Sequence, residues 1–115
     1  MCGVRLPAAE RAVVDTAKVR DYLLSADHPV GAAKAEVFRR LGYSQSDWRL
    51  LRNDLLALAR TVDVIETSAD QHGRAFAVSG TLTGPNGRDL IVTTVWFIRS
   101  TESWPRFVTA YPWRE

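Results

Sequence analysis

The hydrophobic period of this chain changes near residue 62, and that change limits its possible folds more than any other feature. Before it, apolar residues recur every three or four positions, as on one face of a helix; after it they alternate, as along a strand. Asp15 is placed to cap a short helix over Thr16 to Leu24, with Val19, Tyr22 and Leu23 on one face. The segment Ser25-Ala26-Asp27-His28-Pro29 ends it, because proline drives the preceding residue out of the helical region. A second helix is expected from about Gly31 to Leu41. Arg39 and Arg40 suit its C-terminal dipole, and Gly42 supplies a left-handed stop. Ser44 and Asp47 have capping-box spacing ahead of a third helix that buries Trp48, Leu51, Leu55 and Leu58.

The second half reads as a run of strands. Val62, Val64 and Ile65 open the first, and Arg74 to Thr83 forms the second, with Phe76, Val78 and Leu82 on one face. Gly84-Pro85-Asn86-Gly87 is a hairpin turn, since proline presets φ and Asn-Gly tolerates positive φ. The return strand spans Asp89 to about Arg99. Both of its faces are mostly apolar, which places it centrally. A last strand runs from Arg106 to Tyr111. Helices followed by an antiparallel meander define an α+β fold, with one sheet face on the helices and the other toward water. Residues 1–115 are expected to form a single domain, mainly helical over 1–60 and sheet over 61–115.

Composition narrows the function classes. The single cysteine, Cys2, excludes an intrachain disulfide and a cysteine-based zinc site. Neither an apolar h-region in Met1 to Pro7 nor an apolar run of about 18 residues is present, so no membrane partner is expected. The expected setting is the cytoplasm, either of the producing cell or of a target cell reached through a larger carrier. Gly-rich phosphate loops and Gly-x-Ser-x-Gly elbows are absent. His28 and His72 stand 44 positions apart in no metal-ligand pattern, so chemistry without metal or cofactor is what remains.

His28-Pro29-Val30-Gly31-Ala32-Ala33-Lys34 is the most informative segment. A helix N-terminus favours anions; Lys34 in the first turn, Gly31 beside it and His28 just outside describe a phosphate or carboxylate site with a titratable neighbour. A solvated lysine and an ordinary loop histidine are the alternative. On the sheet, Thr94 and Trp96 share one face of the return strand, and Thr109 and Tyr111 share one face of the last strand. Each pair offers groups to a ligand or simply packs. Arg74 stands near His72 and either meets an anion or solubilises a strand end.

The set KVRDYLL at 18–24, HPVGAAK at 28–34, Val37 to Gly42, Thr94-Val95-Trp96 and RFVTAYP at 106–112 resembles a bacterial domain family of unknown function. The resemblance runs from about Ala12 to Pro112. That family is similar in layout to the barnase–EndoU–colicin D–RelE (BECR) group of ribonuclease toxins. The resemblance implies His28 as acid/base, Lys34 as the cation at the phosphate, and Thr94 and Thr109 as hydroxyl donors. Trp96 or Tyr111 would stack a base, and Arg74 would be a second cation. His72 lies in an expected loop, and Glu66 and Glu102 fit no motif of the group, so the partner acid is unassigned.

These readings lead to a metal-independent ribonuclease that acts as a bacterial toxin on RNA and is neutralised by a cognate antitoxin or immunity protein. A non-catalytic RNA- or protein-binding module of the same fold is the alternative. An immunity protein is disfavoured, because partners of basic nucleases tend to be acidic. Net charge is +2, with thirteen of fifteen cations arginine, and its distribution is uneven. Residues 1–60 carry ten Lys+Arg against seven Asp+Glu, whereas 61–115 carry five against six. The basic surplus lies in the half that holds His28 and Lys34.

Overall fold

The computed structural model describes residues 5–20, 24 and 32–112, with side chains for all of these except 32–35. Among the described residues, a 3-10 turn at Ala9–Arg11 is followed by the helices α1 (Thr16–Lys18), α2 (Ala32–Arg40) and α3 (Trp48–Thr61). Four strands follow, β1 (Val64–Asp70), β2 (Gly73–Thr83), β3 (Asp89–Arg99) and β4 (Arg106–Pro112). They form one antiparallel sheet in the order β1-β2-β3-β4. The α+β reading therefore holds, with a helix packed on a four-stranded meander.

Local chemistry explains most element ends. Gly42 adopts φ +98 after α2, the left-handed stop anticipated for it. The amide of Asp47 donates to Ser44 Oγ (3.3 Å), and Ser44 Oγ donates to Asp47 Oδ2 (3.4 Å). That box closes as a separate turn, so α3 starts at Trp48. Leu51, Leu55, Leu58 and Ala59 make its buried stripe. Trp48 is only half-buried, and its ring lies beneath Arg49 and Arg52, at 4.6 and 5.3 Å. At α1, Asp15 has extended backbone but makes no side-chain cap. The described helix there covers Thr16–Lys18, with Val19 fully buried beyond it; residues 21–23 lie outside the described set.

The core lies between α3 and one face of the sheet, where Phe76, Val78, Leu82, Val92 and Trp96 meet Leu51, Leu55 and Leu58. The β2–β3 turn reaches past the sheet to the end of α2. There the amide of Asn86 donates to the Leu41 carbonyl (3.3 Å), and its side-chain Nδ2 donates to the Arg40 carbonyl (2.8 Å). Free carbonyls at a helix C-terminus need such donors. Gly84 makes the approach possible, since a Cβ there would stand 1.9 Å from the Leu41 oxygen. Next to this junction the buried Tyr43 hydroxyl donates to Asp54 Oδ2 (2.5 Å) and lies 3.3 Å from the Thr83 carbonyl oxygen. Burial, then the bond to Asp54, pushes the phenol pKa up.

Of the described elements, only α1 reaches the opposite face of the sheet, at the corner where Asp15 and Lys18 meet Phe97, Arg99 and Arg106. Ile91 and Tyr111 are each about half exposed on that side. Among the described residues, no helix is long and apolar enough to cross a membrane.

Gly84→Ala is expected to cost about 3 kcal/mol, because the added methyl must displace the Leu41 carbonyl. Chemical denaturation should show a lower midpoint with an unchanged slope.

Candidate functional site

His28 and Gly31 lie outside the described residues. Lys34 occupies the first turn of α2, where the sequence placed it, but its side chain is not among those described. The described geometry therefore concerns the sheet members of the expected set, and they do not converge.

Thr94 and Trp96 point into the core. Both are fully buried. Thr94 Oγ1 donates to the Val78 carbonyl (3.0 Å) and accepts from Trp96 Nε1 (2.8 Å), so one hydroxyl satisfies the indole and ties β3 to β2. The Trp96 ring also meets Phe107 edge-on at 5.4 Å. This corrects the expectation of a hydroxyl donor and a stacking wall: neither residue presents surface to a substrate, since a buried indole N–H needs its acceptor and uses Thr94 for it. Arg74 stands on the same face near the start of β2, exposed, with its guanidinium 5.0 Å from the Phe76 ring.

Thr109 and Tyr111 pair with Val95 and Thr93 and so lie on the open face. A bulge in the β3–β4 register, which pairs Val95 with Thr109 but Trp96 with Phe107, sets this placement. Beside Tyr111 a shallow basin of about 160 Å³ is floored by Ala75, Ala77 and Val95 and rimmed by Glu66 and Ser68. Ser79 and Thr93 share a hydroxyl hydrogen bond of 2.6 Å on the same face. The expected set is thus divided by the sheet: Thr94, Trp96 and Arg74 on the helix side, Thr109 and Tyr111 on the other.

Sequence reasoning passed over one ion-pair cluster. Glu102 accepts from Arg106 through Nε (2.8 Å) and Nη2 (2.6 Å), and Arg99 Nη1 lies 4.0 Å away. The bidentate bond from Arg106 holds the Glu102 carboxyl below the usual carboxylate range; desolvation opposes this, and the charges of Arg106 and Arg99 reinforce it. The i,i+4 spacing of Glu102 and Arg106 was the available signal, but it lies in a loop and a strand, where that spacing implies no contact.

Fold and exposed surface together define a half-covered α+β domain whose free sheet face carries polar and aromatic groups. The chain belongs to the family described as a domain of unknown function, DUF6883, whose model matches residues 5–114. Among solved structures it is similar to a chain of the "Contact-dependent growth inhibition toxin - immunity protein complex from Klebsiella pneumoniae 342". The two share 23% identity with a TM-score of 0.71, over 88% of this chain and 99% of the other. No curated protein matches the chain.

Thr94→Val should cost about 2 kcal/mol by leaving the Trp96 N–H without an acceptor, whereas Thr94→Ser should retain most of the stability. Thermal midpoints of the two variants measure this difference.

Glu102 has a lowered folded-state pKa, so its contribution is present above the ordinary carboxylate range and is lost as pH falls through the folded value. Glu102→Gln should therefore be less stable than wild type at neutral pH, and the gap should close in acid. Thermal midpoints between pH 3 and 7 test this.

Proposed function

We propose that the chain is the toxin member of a growth-inhibition pair, acting on RNA in a target cell's cytoplasm and neutralised by a cognate immunity protein. The observation that carries this reading is the fold shared with a chain of the Klebsiella toxin–immunity complex over 99% of that chain's length. Net charge +2, concentrated in the helical half, favours the toxin over the immunity side, because a protein that meets RNA gains from a positive field.

The chemistry proposed is that of a metal-independent ribonuclease of BECR type. His28 takes the proton from a ribose 2′-hydroxyl, the oxygen attacks the adjacent phosphorus, and the bond to the 5′-oxygen breaks, that oxygen taking a proton from water to leave as a hydroxyl. A 2′,3′-cyclic phosphate is the product. Lys34 offsets charge on the phosphorane, as a cation placed at the developing anion should. Of the sheet residues, Thr109 and Tyr111 on the open face and the exposed Arg74 are the ones assigned here to meet the substrate.

A non-catalytic binding module is the second reading. The observation that favours it is the burial of Thr94 and Trp96, which leaves one expected catalytic hydroxyl and one expected stacking ring without access to a substrate.

Expression in a bacterial host should halt growth, and His28→Ala or Lys34→Ala should restore it. Loss of the acid/base group should lower cleavage of purified RNA by about 10²–10⁴-fold. Intact total RNA and tRNA after incubation with the chain at pH 5–9, with and without Mg²⁺, would falsify the ribonuclease reading.

A further inference from the structure

The open face is uneven, because β2 places alanine at two successive positions there. Ala75 and Ala77 lie between longer side chains, and the register sets Glu66, Ala77, Val95 and Thr109 in one row across the four strands. Tyr111 stands one row further along, opposite Thr93. The two alanine methyls and Val95 floor the basin of about 160 Å³ that opens between Glu66 and Tyr111. That space is smaller than the roughly 300–1,000 Å³ of small-ligand pockets, so it suits one side chain better than a whole nucleotide.

The charge around the basin is negative. Among the described residues, the open-face positions of β1 and β2 carry Glu66 and Asp70 and no lysine or arginine. Asp70 is committed locally, since its Oδ1 accepts from the amides of His72 (2.7 Å) and Gly73 (3.2 Å). Glu66 is exposed, and among the described residues it makes no hydrogen bond or ion pair. The Tyr111 ring, 41% exposed, forms the opposite wall. An ionised carboxylate only accepts, and its two oxygens match the paired N–H groups of a guanidinium. A guanidinium also stacks flat on an aromatic face, as an ammonium does not. Phosphates, by contrast, are repelled by an uncompensated carboxylate.

We propose that this basin receives an arginine side chain of the neutralising partner protein, paired with Glu66 and stacked on Tyr111, a placement that rests on the toxin reading above. The same ring is assigned there to the substrate, so an arginine seated on it keeps RNA off the open face. Arginine and tyrosine are enriched among the residues that dominate interface energetics, and they anchor in small, well-packed pockets. Ile91, half exposed on the same face, adds apolar surface for the partner to cover. One arginine is compatible with a partner that is acidic overall.

The test uses the full chain, isotopically labelled, and the peptide acetyl-Gly-Arg-Gly-amide in an NMR titration. The amide signals of Ala75, Ala77 and Val95 should shift and saturate at roughly millimolar peptide. Citrulline in place of the arginine keeps the shape without the charge and should weaken binding about tenfold, as should Glu66→Gln. Tyr111→Leu should weaken it about threefold through loss of the cation–π contact. Glu36→Gln, on α2, should leave it unchanged, and circular dichroism should show all three variants folded. Equal binding of the citrulline peptide, or wild-type binding by Glu66→Gln, overturns the arginine pocket. Guanosine 5′-monophosphate that saturates the same signals at lower concentration than the peptide overturns it in favour of an RNA subsite. Arginine binding through Glu66 and Tyr111, in a chain whose expression leaves bacterial growth unaffected, keeps the pocket and removes the toxin reading. Growth arrest by a chain that binds no peptide at the basin does the reverse.

Discussion

The contact between the β2–β3 turn and the C-terminus of α2 joins the helical half of this chain to its sheet. Carbonyl groups at the end of a helix have no partners within it, and Asn86 supplies donors to both Arg40 and Leu41. Tyr43, one residue past the helix stop, reaches Asp54 of α3 and lies near Thr83 at the end of β2. Two helices are therefore registered against the same end of one hairpin. The apolar stripe of α3 then meets Phe76, Val78 and Leu82 and closes the core on one side of the sheet.

Closing one side leaves the other free, and this decides which residues a ligand can meet. Thr94 and Trp96 serve each other and Val78 in the interior. A buried indole without an acceptor would cost more than a solvent-facing one, so the hydroxyl beside it is committed to structure. The β4 bulge turns Thr109 and Tyr111 outward, and the bridge from Val13 brings Lys18 to the rim beyond Arg106. The free face thereby acquires its polar and basic character from residues far apart in sequence. Glu102 adds orientation, since a bidentate carboxylate holds a guanidinium in plane while leaving donors available.

Much of the fold was legible in local chemistry. The change of period from helical to alternating marked the α+β division, Gly42 marked the end of α2, and Gly84-Pro85-Asn86-Gly87 marked the hairpin. These signals act within a few residues, through sterics and nearest-neighbour hydrogen bonds. Asp15 shows where such reasoning stops: its type and position suit a cap, yet its side chain makes none. Trp48 likewise fits the apolar spacing of α3 but ends beneath two arginines at the core's margin.

The candidate site was less legible for a definite reason. Alternation along a strand separates two faces without saying which one the helices will cover, and a bulge exchanges faces partway along. Composition and spacing alone determined the element order, the central place of β3 and the basic surplus of the first half. Only the tertiary structure decided that Thr94 and Trp96 belong to the core, that Thr109 and Tyr111 face water, and that Lys18, Arg99 and Arg106 share one corner. Burial and ion pairing between distant segments depend on how the helices are docked, and that docking rests on contacts such as Asn86 to Arg40 that no local pattern encodes.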